Sequence, residues 1–369
     1  MKKYIIIAAA ALVASAACTK VEVAQEAQRE ISFEVANRLT KATGVKYENG
    51  AFGTYAWFNN TDDFMVNEQV DLSGGVWKTV DHTFYWPKTG SISFISYSPF
   101  DGTSNTAGTV PAVTKNSITY TGVTAGSVDL MYADKATCSS NVNEVTDSDS
   151  ADSGYAGVPT VFRHALAKLS FKIKANFVEQ TDPNDASLKT TWEVTVKSAK
   201  ISGFKTTGDC ALALNADNKS WDKPETTIGT DKYNVWTNLS GATTDQELVA
   251  SPIVLTTSAV NIAAATGFVM PQVLEASAQT LKMDIHITTT LSNGLVIEED
   301  FKPTLNLCDI STLKAWQMNE NIVYTINIKP TASADPSNPH TDDPNDVVIT
   351  FDPAVADWTN VDATATIQL

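Results

Sequence analysis

The feature that most constrains the fold of this chain is a repeated alternation of apolar and polar side chains with a period of two. Every second residue is apolar in four separate segments, at residues 169–173, 192–196, 281–287 and 324–328. Successive side chains of a strand point to opposite faces of a sheet, so each segment predicts a strand with one buried and one solvated face. Short strands between Gly, Asn, Asp and Pro clusters favour an all-β protein built from sandwiches. Two further segments, 258–266 and 311–317, are candidates for helical turns.

Length and charge narrow the possible functions. A chain of 369 residues is long for one hydrophobic core and suits two domains. Its formal net charge of −16 repels phosphate backbones, which excludes nucleic acid as a partner. The four histidines are isolated from one another, so neither a multi-histidine zinc site nor a histidine-based triad has support, and no cofactor or metal is predicted. For His164 in particular, a hydrogen-bonded structural role is favoured over a ligand role.

The first eighteen residues predict export. Two lysines precede an apolar run at residues 4–13, and Ala14-Ser15-Ala16-Ala17-Cys18 follows. The run is too short to span a bilayer and is typical of a secretory signal. Cleavage after Ala17 would suffice for a plain signal peptide. The favoured interpretation is a lipoprotein signal with Cys18 as the acylated first residue, although Ser15 stands where leucine is usual.

Both ends of the exported chain are amphipathic strand candidates. At the N-terminus, Ile31, Phe33 and Val35 share one face, and Arg38 and Lys41 follow shortly after. The C-terminal tail alternates in the same way, with apolar residues at Val347, Ile349, Phe351, Ala365, Ile367 and Leu369.

These two ends predict an exchange of strands between subunits. A trypsin-like cut at Arg38 or Lys41 would release the N-terminal strand and expose an apolar groove with unpaired backbone groups. The tail of another copy could fill that groove by strand addition, and a contact that does not close on itself yields a filament. The alternative is that both ends are ordinary strands of their own domains and that Arg38 and Lys41 are surface charges.

A set of ordered motifs carries a resemblance to a known family. They are Tyr85-Trp86-Pro87 with residues 92–99, Asp129-Leu130-Met131-Tyr132-Ala133, residues 162–171, Met270-Pro271-Gln272 and residues 349–358. In this order the chain resembles a fimbrillin of the type V pilin class, from the surface of Gram-negative anaerobes. The motifs span most of the chain after the signal.

The resemblance implies an all-β protein of two tandem transthyretin-like β-sandwich domains after a lipoprotein signal peptide. The expected divisions are a signal peptide at 1–17, a propeptide with the removable strand at 18–41, sandwich domains at 42–170 and 171–330, and a linker with the donor strands at 331–369. It further implies an outer-membrane-anchored precursor that is cut by a protease and then polymerises on the cell surface with copies of itself or related subunits. Relatives carry Arg before Ala-Thr at the mature start, where this chain has Lys41, so Lys41 or Arg38 is the expected site, and an Arg-only protease would need Arg38 or Arg29.

Two other functions stay open. A tip adhesin, or a surface lipoprotein that binds glycans or a host protein without polymerising, would use exposed rings among the aromatic residues of the first domain. Those rings are expected mainly in the core: Trp57, Phe58, Phe64, Trp77, Phe84, Tyr85, Trp86, Phe94 and Tyr97. A secreted glycosidase has no motif that selects its two carboxylates, so the chain is not predicted to be an enzyme.

The remaining cysteines are not expected to form a redox or zinc site. Cys138, Cys210 and Cys308 are far apart in the sequence, and three residues allow at most one bridge. Buried or free thiols are the favoured interpretation.

Overall fold

A computed structural model describes most of the chain between residues 30 and 368. The described residues are 30–37, 47, 50–87, 89–100, 110–139, 157–176, 178–182, 184–214, 235–262, 267–276, 278–309, 313–329, 348–351 and 365–368. Within these ranges the backbone forms 27 strands, and Leu307–Asp309 form a 3₁₀ turn. The predicted all-β class is therefore confirmed. None of the helical structure in these ranges is long or apolar enough to cross a bilayer.

Eleven strands lie between residues 33 and 175. They are β1 (Phe33–Asn37), β2 (Phe52–Phe58), β3 (Asp62–Ser73), β4 (Val76–Thr79), β5 (Ser91–Ser98), β6 (Ala112–Thr114), β7 (Ser117–Thr124), β8 (Met131–Ala133), β9 (Ala136–Ser139), β10 (Val158–His164) and β11 (Ala167–Ala175).

The later strands include the longest one of the described chain, β13 (Lys189–Ser202), with 14 residues. They are β12 (Glu179–Thr181), β13 (Lys189–Ser202), β14 (Lys205–Ala213), β15 (Trp236–Ala242), β16 (Gln246–Val249), β17 (Ile253–Val254), β18 (Val260–Asn261), β19 (Phe268–Val269), β20 (Gln272–Val273), β21 (Thr280–Thr290), β22 (Val296–Phe301), β23 (Thr304–Asn306), β24 (Ala315–Trp316), β25 (Asn321–Lys329), β26 (Val348–Phe351) and β27 (Ala365–Gln368).

The first sheet closes on itself. Its strand order is β2-β3-β4-β1-β10-β8-β5-β9, and β2 also pairs with β5. Strand β2 pairs with both β3 and β5, and its register with β3 is irregular between Thr54 and Trp57. Bulges of this kind bend a strand. The result is a barrel-like ring of strands around one apolar cluster, which includes Phe33, Phe52 and Phe94.

A four-stranded sheet joins the two halves of the chain. Its order is β15-β14-β7-β6, and β7 pairs with β14 in antiparallel register from Ser117–Ala213 to Thr124–Thr207. The apolar cluster beside it likewise contains residues from both sides of position 170, such as Tyr132 and Trp236. These sheet contacts run across residue 170. The division into two domains near this residue therefore stays a prediction.

The second half contains two larger sheets that share one core. One has the order β18-β11-β25-β26-β27 with β19 beside β11, and the other has the order β12-β13-β21-β22 with β16, β17 and β23 attached. The alternating residues of the four predicted strands lie in this core, which confirms those strand predictions: Leu169, Phe171, Ile173, Trp192, Val194, Val196, Leu281, Met283, Ile285, Ile287, Tyr324, Ile326 and Ile328. A two-stranded sheet of β20 and β24 completes the set.

The two expected helical turns are wrong over the residues that are described. In the segment 258–266, Val260–Asn261 pair with β11, and in the segment 311–317, Ala315–Trp316 pair with β20. Trp316 is fully buried and its indole N–H donates to the Tyr324 hydroxyl at 2.8 Å. Burial against a neighbouring strand therefore decides the local conformation over a weak helix preference.

The three cysteines of the described chain are free and buried. Burial raises the pKa of the Cys138 thiol to about 12, which keeps it protonated and unreactive at neutral pH. The expectation of buried or free thiols is confirmed.

Candidate strand-exchange site

The N-terminal strand β1 lies inside the first sheet, between β10 and β4. It runs parallel to β10, from Phe33 opposite Val158 to Asn37 opposite Phe162. On its other side it pairs with β4 where Phe33 lies opposite Trp77. A strand that leaves an interior position exposes unpaired backbone groups on two neighbours, whereas an edge strand exposes them on one.

Two side chains of this N-terminal segment are core residues. Ile31 is 1% exposed and Phe33 is 3% exposed. The Phe33 ring lies edge-on to Phe52 and Phe94, with ring centroids 5.6 and 5.7 Å away. The Ile31 N–H also donates to the carbonyl oxygen of Phe84 at 2.9 Å. The segment before Arg38 thus supplies packing and hydrogen bonds that the rest of the sheet lacks without it.

Tyr47 lies after the predicted cleavage sites in the sequence and packs against the sheet that contains β1. Its ring stacks on Phe162 with centroids 4.9 Å apart and packs edge-on to Trp77 at 5.5 Å. The Tyr47 and Ser98 hydroxyls share a hydrogen bond of 2.6 Å, and burial raises the pKa of the Tyr47 phenol. A chain that starts at Leu39 or Ala42 retains Tyr47, so cleavage would remove β1 but keep the contacts of Tyr47 with Phe162, Trp77 and Ser98.

The backbone of the N-terminal segment approaches Gly157 closely. A Cβ atom on Gly157 would lie 2.5 Å from the Ser32 carbonyl oxygen, closer than such contacts occur. The next residue, Val158, donates its backbone N–H to the same oxygen at 2.7 Å. Glycine is therefore required for β1 to pair with the start of β10.

The C-terminal tail forms a hairpin on a different sheet. Strand β26 pairs in antiparallel register with β25, from Lys329 opposite Val348 to Ile326 opposite Phe351. Strand β27 pairs with β26, from Val348 opposite Gln368 to Phe351 opposite Ala365, and ends the strand order of that sheet. The tail is therefore a strand pair at a sheet edge, where it can separate without breaking the interior of the sheet.

The predicted site residues divide into two groups. The backbones of Ile349 and Phe351 lie in β26, and those of Ala365 and Ile367 lie in β27. The others, Cys18, Arg38, Lys41, Val347 and Leu369, lie outside the described residues. The structure does not bring β1 and the C-terminal hairpin together, because they pair in different sheets.

The residues weighed for other functions have structural roles. The Nδ1 atom of His164 lies 2.7 Å from Asp129 Oδ2, with both side chains largely buried, which fits the hydrogen-bonded histidine that was favoured. Of the nine aromatic residues that the sequence analysis weighed for ligand binding, Tyr85 is the exposed one, at 44%. The expectation that these rings belong mainly to the core is confirmed.

Sequence reasoning missed the acceptor side of the site. It did not identify β10 as the partner of the N-terminal strand, nor Phe52 and Phe94 as the ring contacts of Phe33. The one available signal was Gly157 directly before the apolar run of β10. Parallel pairing between residues 33 and 158 is too distant in the sequence for a local pattern to reveal.

A closed β architecture with strand-forming ends, with His164 hydrogen-bonded inside it and its aromatic rings mainly in the core, is typical of a structural protein. Residues 40–358 match the family model described as fimbrillin-like, and the chain belongs to this family. The protein is accordingly a fimbrial subunit or adhesion protein of the cell surface and not an enzyme.

No curated protein matches the sequence. Among solved structures, it is similar to a fimbrial protein from Bacteroides vulgatus at 15% identity, which covers 90% of this chain and 100% of that one with a TM-score of 0.43. It is also similar to a candidate cell adhesion protein from Bacteroides uniformis, at 19% identity with 89% and 98% covered and a TM-score of 0.39. A third is the fimbrial anchor protein Mfa2 from Porphyromonas gingivalis, at 11% identity with 91% and 99% covered and a TM-score of 0.29.

Proposed function

We propose that this protein is a polymerising fimbrial subunit that exchanges strands with its neighbours. It is exported as a lipoprotein acylated at Cys18, anchored in the outer membrane, and cut after Arg38 or Lys41 by a surface protease. The cut releases β1, and the C-terminal strands of another subunit fill the opened groove. The single observation that carries the proposal is the interior position of β1, in a segment that ends before two basic residues.

Burial supplies the driving force for refilling the groove. Full burial of a large apolar side chain contributes roughly 1.5–3 kcal/mol, so Ile31 and Phe33 together contribute roughly 3–6 kcal/mol. Their loss leaves an apolar slot flanked by the backbone edges of β10 and β4. Such a slot binds an extended segment through main-chain hydrogen bonds and alternate side chains in pockets.

Electrostatics do not drive this assembly. From Ala42 to the end, the chain contains 20 basic and 38 acidic residues, a net charge of −18. Like-charged subunits repel one another, with a range that salt shortens. Assembly therefore depends on strand pairing and apolar burial, and it is expected to proceed more readily at higher ionic strength.

N-terminal sequencing of the surface-exposed protein tests the proposal. A start at Leu39 or Ala42, in material that also forms ladders on unboiled gels, is the expected result. A blocked, acylated Cys18 on a protein that stays monomeric would contradict it and favour an anchor or a non-polymerising adhesin. The matched control is the variant with Arg29→Ala, because a cut after Arg29 would leave β1 in place and the change leaves Arg38 and Lys41 intact.

A further inference from the structure

The C-terminal strand repeats the core of the N-terminal strand residue by residue. The N-terminal segment reads Ile31-Ser32-Phe33-Glu34, and the tail reads Ile349-Thr350-Phe351-Asp352. Each position keeps its chemistry: a β-branched aliphatic residue, a small hydroxyl residue, phenylalanine and an acid. The first three residues of the tail segment lie in β26, so this segment already has an extended backbone.

Ile-Ser-Phe occurs a second time, at residues 92–94, but this copy is not available for exchange. Residues 92–94 lie in β5 and continue with Ile95, so the acidic fourth position is missing. They are paired with β2 on one side and β9 on the other. The full four-residue pattern is therefore shared by residues 31–34 and 349–352 but not by residues 92–95.

We infer that the tail enters the groove in one register, with Ile349 in the site of Ile31 and Phe351 in the site of Phe33. This inference rests on the proposed function and adds the position of each donor side chain. Phe351 would then lie opposite Val158 of the next subunit, as Phe33 does now. Its ring would replace the Phe33 ring in the pocket that Phe52 and Phe94 form.

Backbone geometry supports the same register. Val158 donates its N–H to the Ser32 carbonyl oxygen, and in a parallel pair alternate residues bond the same neighbour. The residues of the N-terminal segment that bond β10 are therefore Ser32, Glu34 and Ala36, and the N–H of Val35 faces the other way.

The position equivalent to Val35 in the tail is Pro353. Proline has no N–H, so it is tolerated in a strand only where that group is not needed for the ladder. The inferred register places Pro353 at such a position, because the pairing of β1 with β4 is confined to Phe33 and Trp77. A shift by one residue would put Pro353 at a bonding position and turn Ile349 and Phe351 away from the core.

Single substitutions in the tail of the full-length chain test the register. Phe351→Ala is expected to weaken elongation of the processed protein about a hundredfold or more, in line with the loss of a buried phenylalanine. Val348→Ala is the matched control, since Val348 is out of phase with Ile349 and Phe351 in the alternation of the sequence, and this change should alter elongation less than about threefold. Exchange of the two core residues, Ile349→Phe with Phe351→Ile, keeps the composition and should abolish elongation as fully as Phe351→Ala. Circular dichroism of each unprocessed monomer checks that its fold is retained.

Peptide competition gives a second readout that does not depend on variant folding. A synthetic peptide of residues 347–354 should block elongation of processed wild-type protein, and so should one of residues 29–36. The same peptides with their Ile and Phe exchanged should be at least about tenfold weaker. Equal inhibition by native and exchanged peptides, or equal elongation of the Phe351→Ala and Val348→Ala variants, would overturn the register. Elongation of a chain that lacks residues 347–369 would instead contradict the proposed function itself.

Discussion

Replacement of Phe33 by alanine should lower the free energy of unfolding of the uncleaved precursor and leave that of the cleaved subunit unchanged. Phe33 is 3% exposed and makes edge-on contacts with Phe52 and Phe94. Truncation of a buried phenylalanine to alanine costs about 3–5 kcal/mol, and β1 is a short strand near the chain end, so we expect about 3 kcal/mol. Because total stabilities are about 5–15 kcal/mol, this is a large fraction. The mature chain lacks residue 33, so its stability should not change.

Guanidinium unfolding of the uncleaved and cleaved forms measures this difference. Tryptophan fluorescence is a suitable probe, because Trp77 and Trp86 pack against the cluster that contains Phe33. Ser32→Ala is the control, since Ser32 is a small half-buried neighbour and should cost less than about 1 kcal/mol. The uncleaved Phe33→Ala protein should also begin to associate, because its groove opens more often. If Phe33→Ala destabilises the precursor no more than Ser32→Ala, β1 is not the element that completes the sheet.

Three further predictions concern the groove, the donor and the cut. Gly157→Ala would place a Cβ 2.5 Å from the Ser32 carbonyl oxygen, so it should destabilise the precursor by about 1–3 kcal/mol in calorimetry. The cleaved monomer should keep its melting temperature, and an equal loss in both forms would show a different role for this glycine. Deletion of residues 347–369 should give a folded, exported protein without fibres in electron micrographs, and fibres of normal length would refute the donor role. Joint replacement of Arg38 and Lys41 by alanine should trap an unprocessed monomer, and ladders that persist on unboiled gels would contradict a protease-controlled step.

The strand content was readable from the sequence because it depends on local alternation. Residues 281–287 alternate regularly, and β21 has the expected buried face, with Leu281 and Ile285 fully buried. The helical-turn predictions failed where the pattern was short. Val260–Asn261 and Ala315–Trp316 are two-residue strands whose conformation depends on partners distant in the sequence.

The sequence predicts the strands that leave and enter the groove, but it does not predict which strands of the first sheet line that groove. The alternation of Ile31 with Phe33 marks a strand, but it does not show that the neighbour is β10, more than a hundred residues later. Nor does it show that the first sheet closes through the pairing of β2 with β5. Both facts follow from long-range packing, which a single sequence encodes only through the combined shapes of its core residues.

Mixing two one-sided subunits tests whether the tail of one subunit completes the sheet of the next. One subunit is cleaved and lacks residues 347–369, so it has a groove and no donor. The other carries Arg38→Ala with Lys41→Ala, so it keeps β1 and has a donor without an open groove. Each should be monomeric alone, and light scattering of the mixture should detect a one-to-one complex. If the mixture stays monomeric at high concentration while the wild-type cleaved protein polymerises, the tail of one subunit does not complete the sheet of the next.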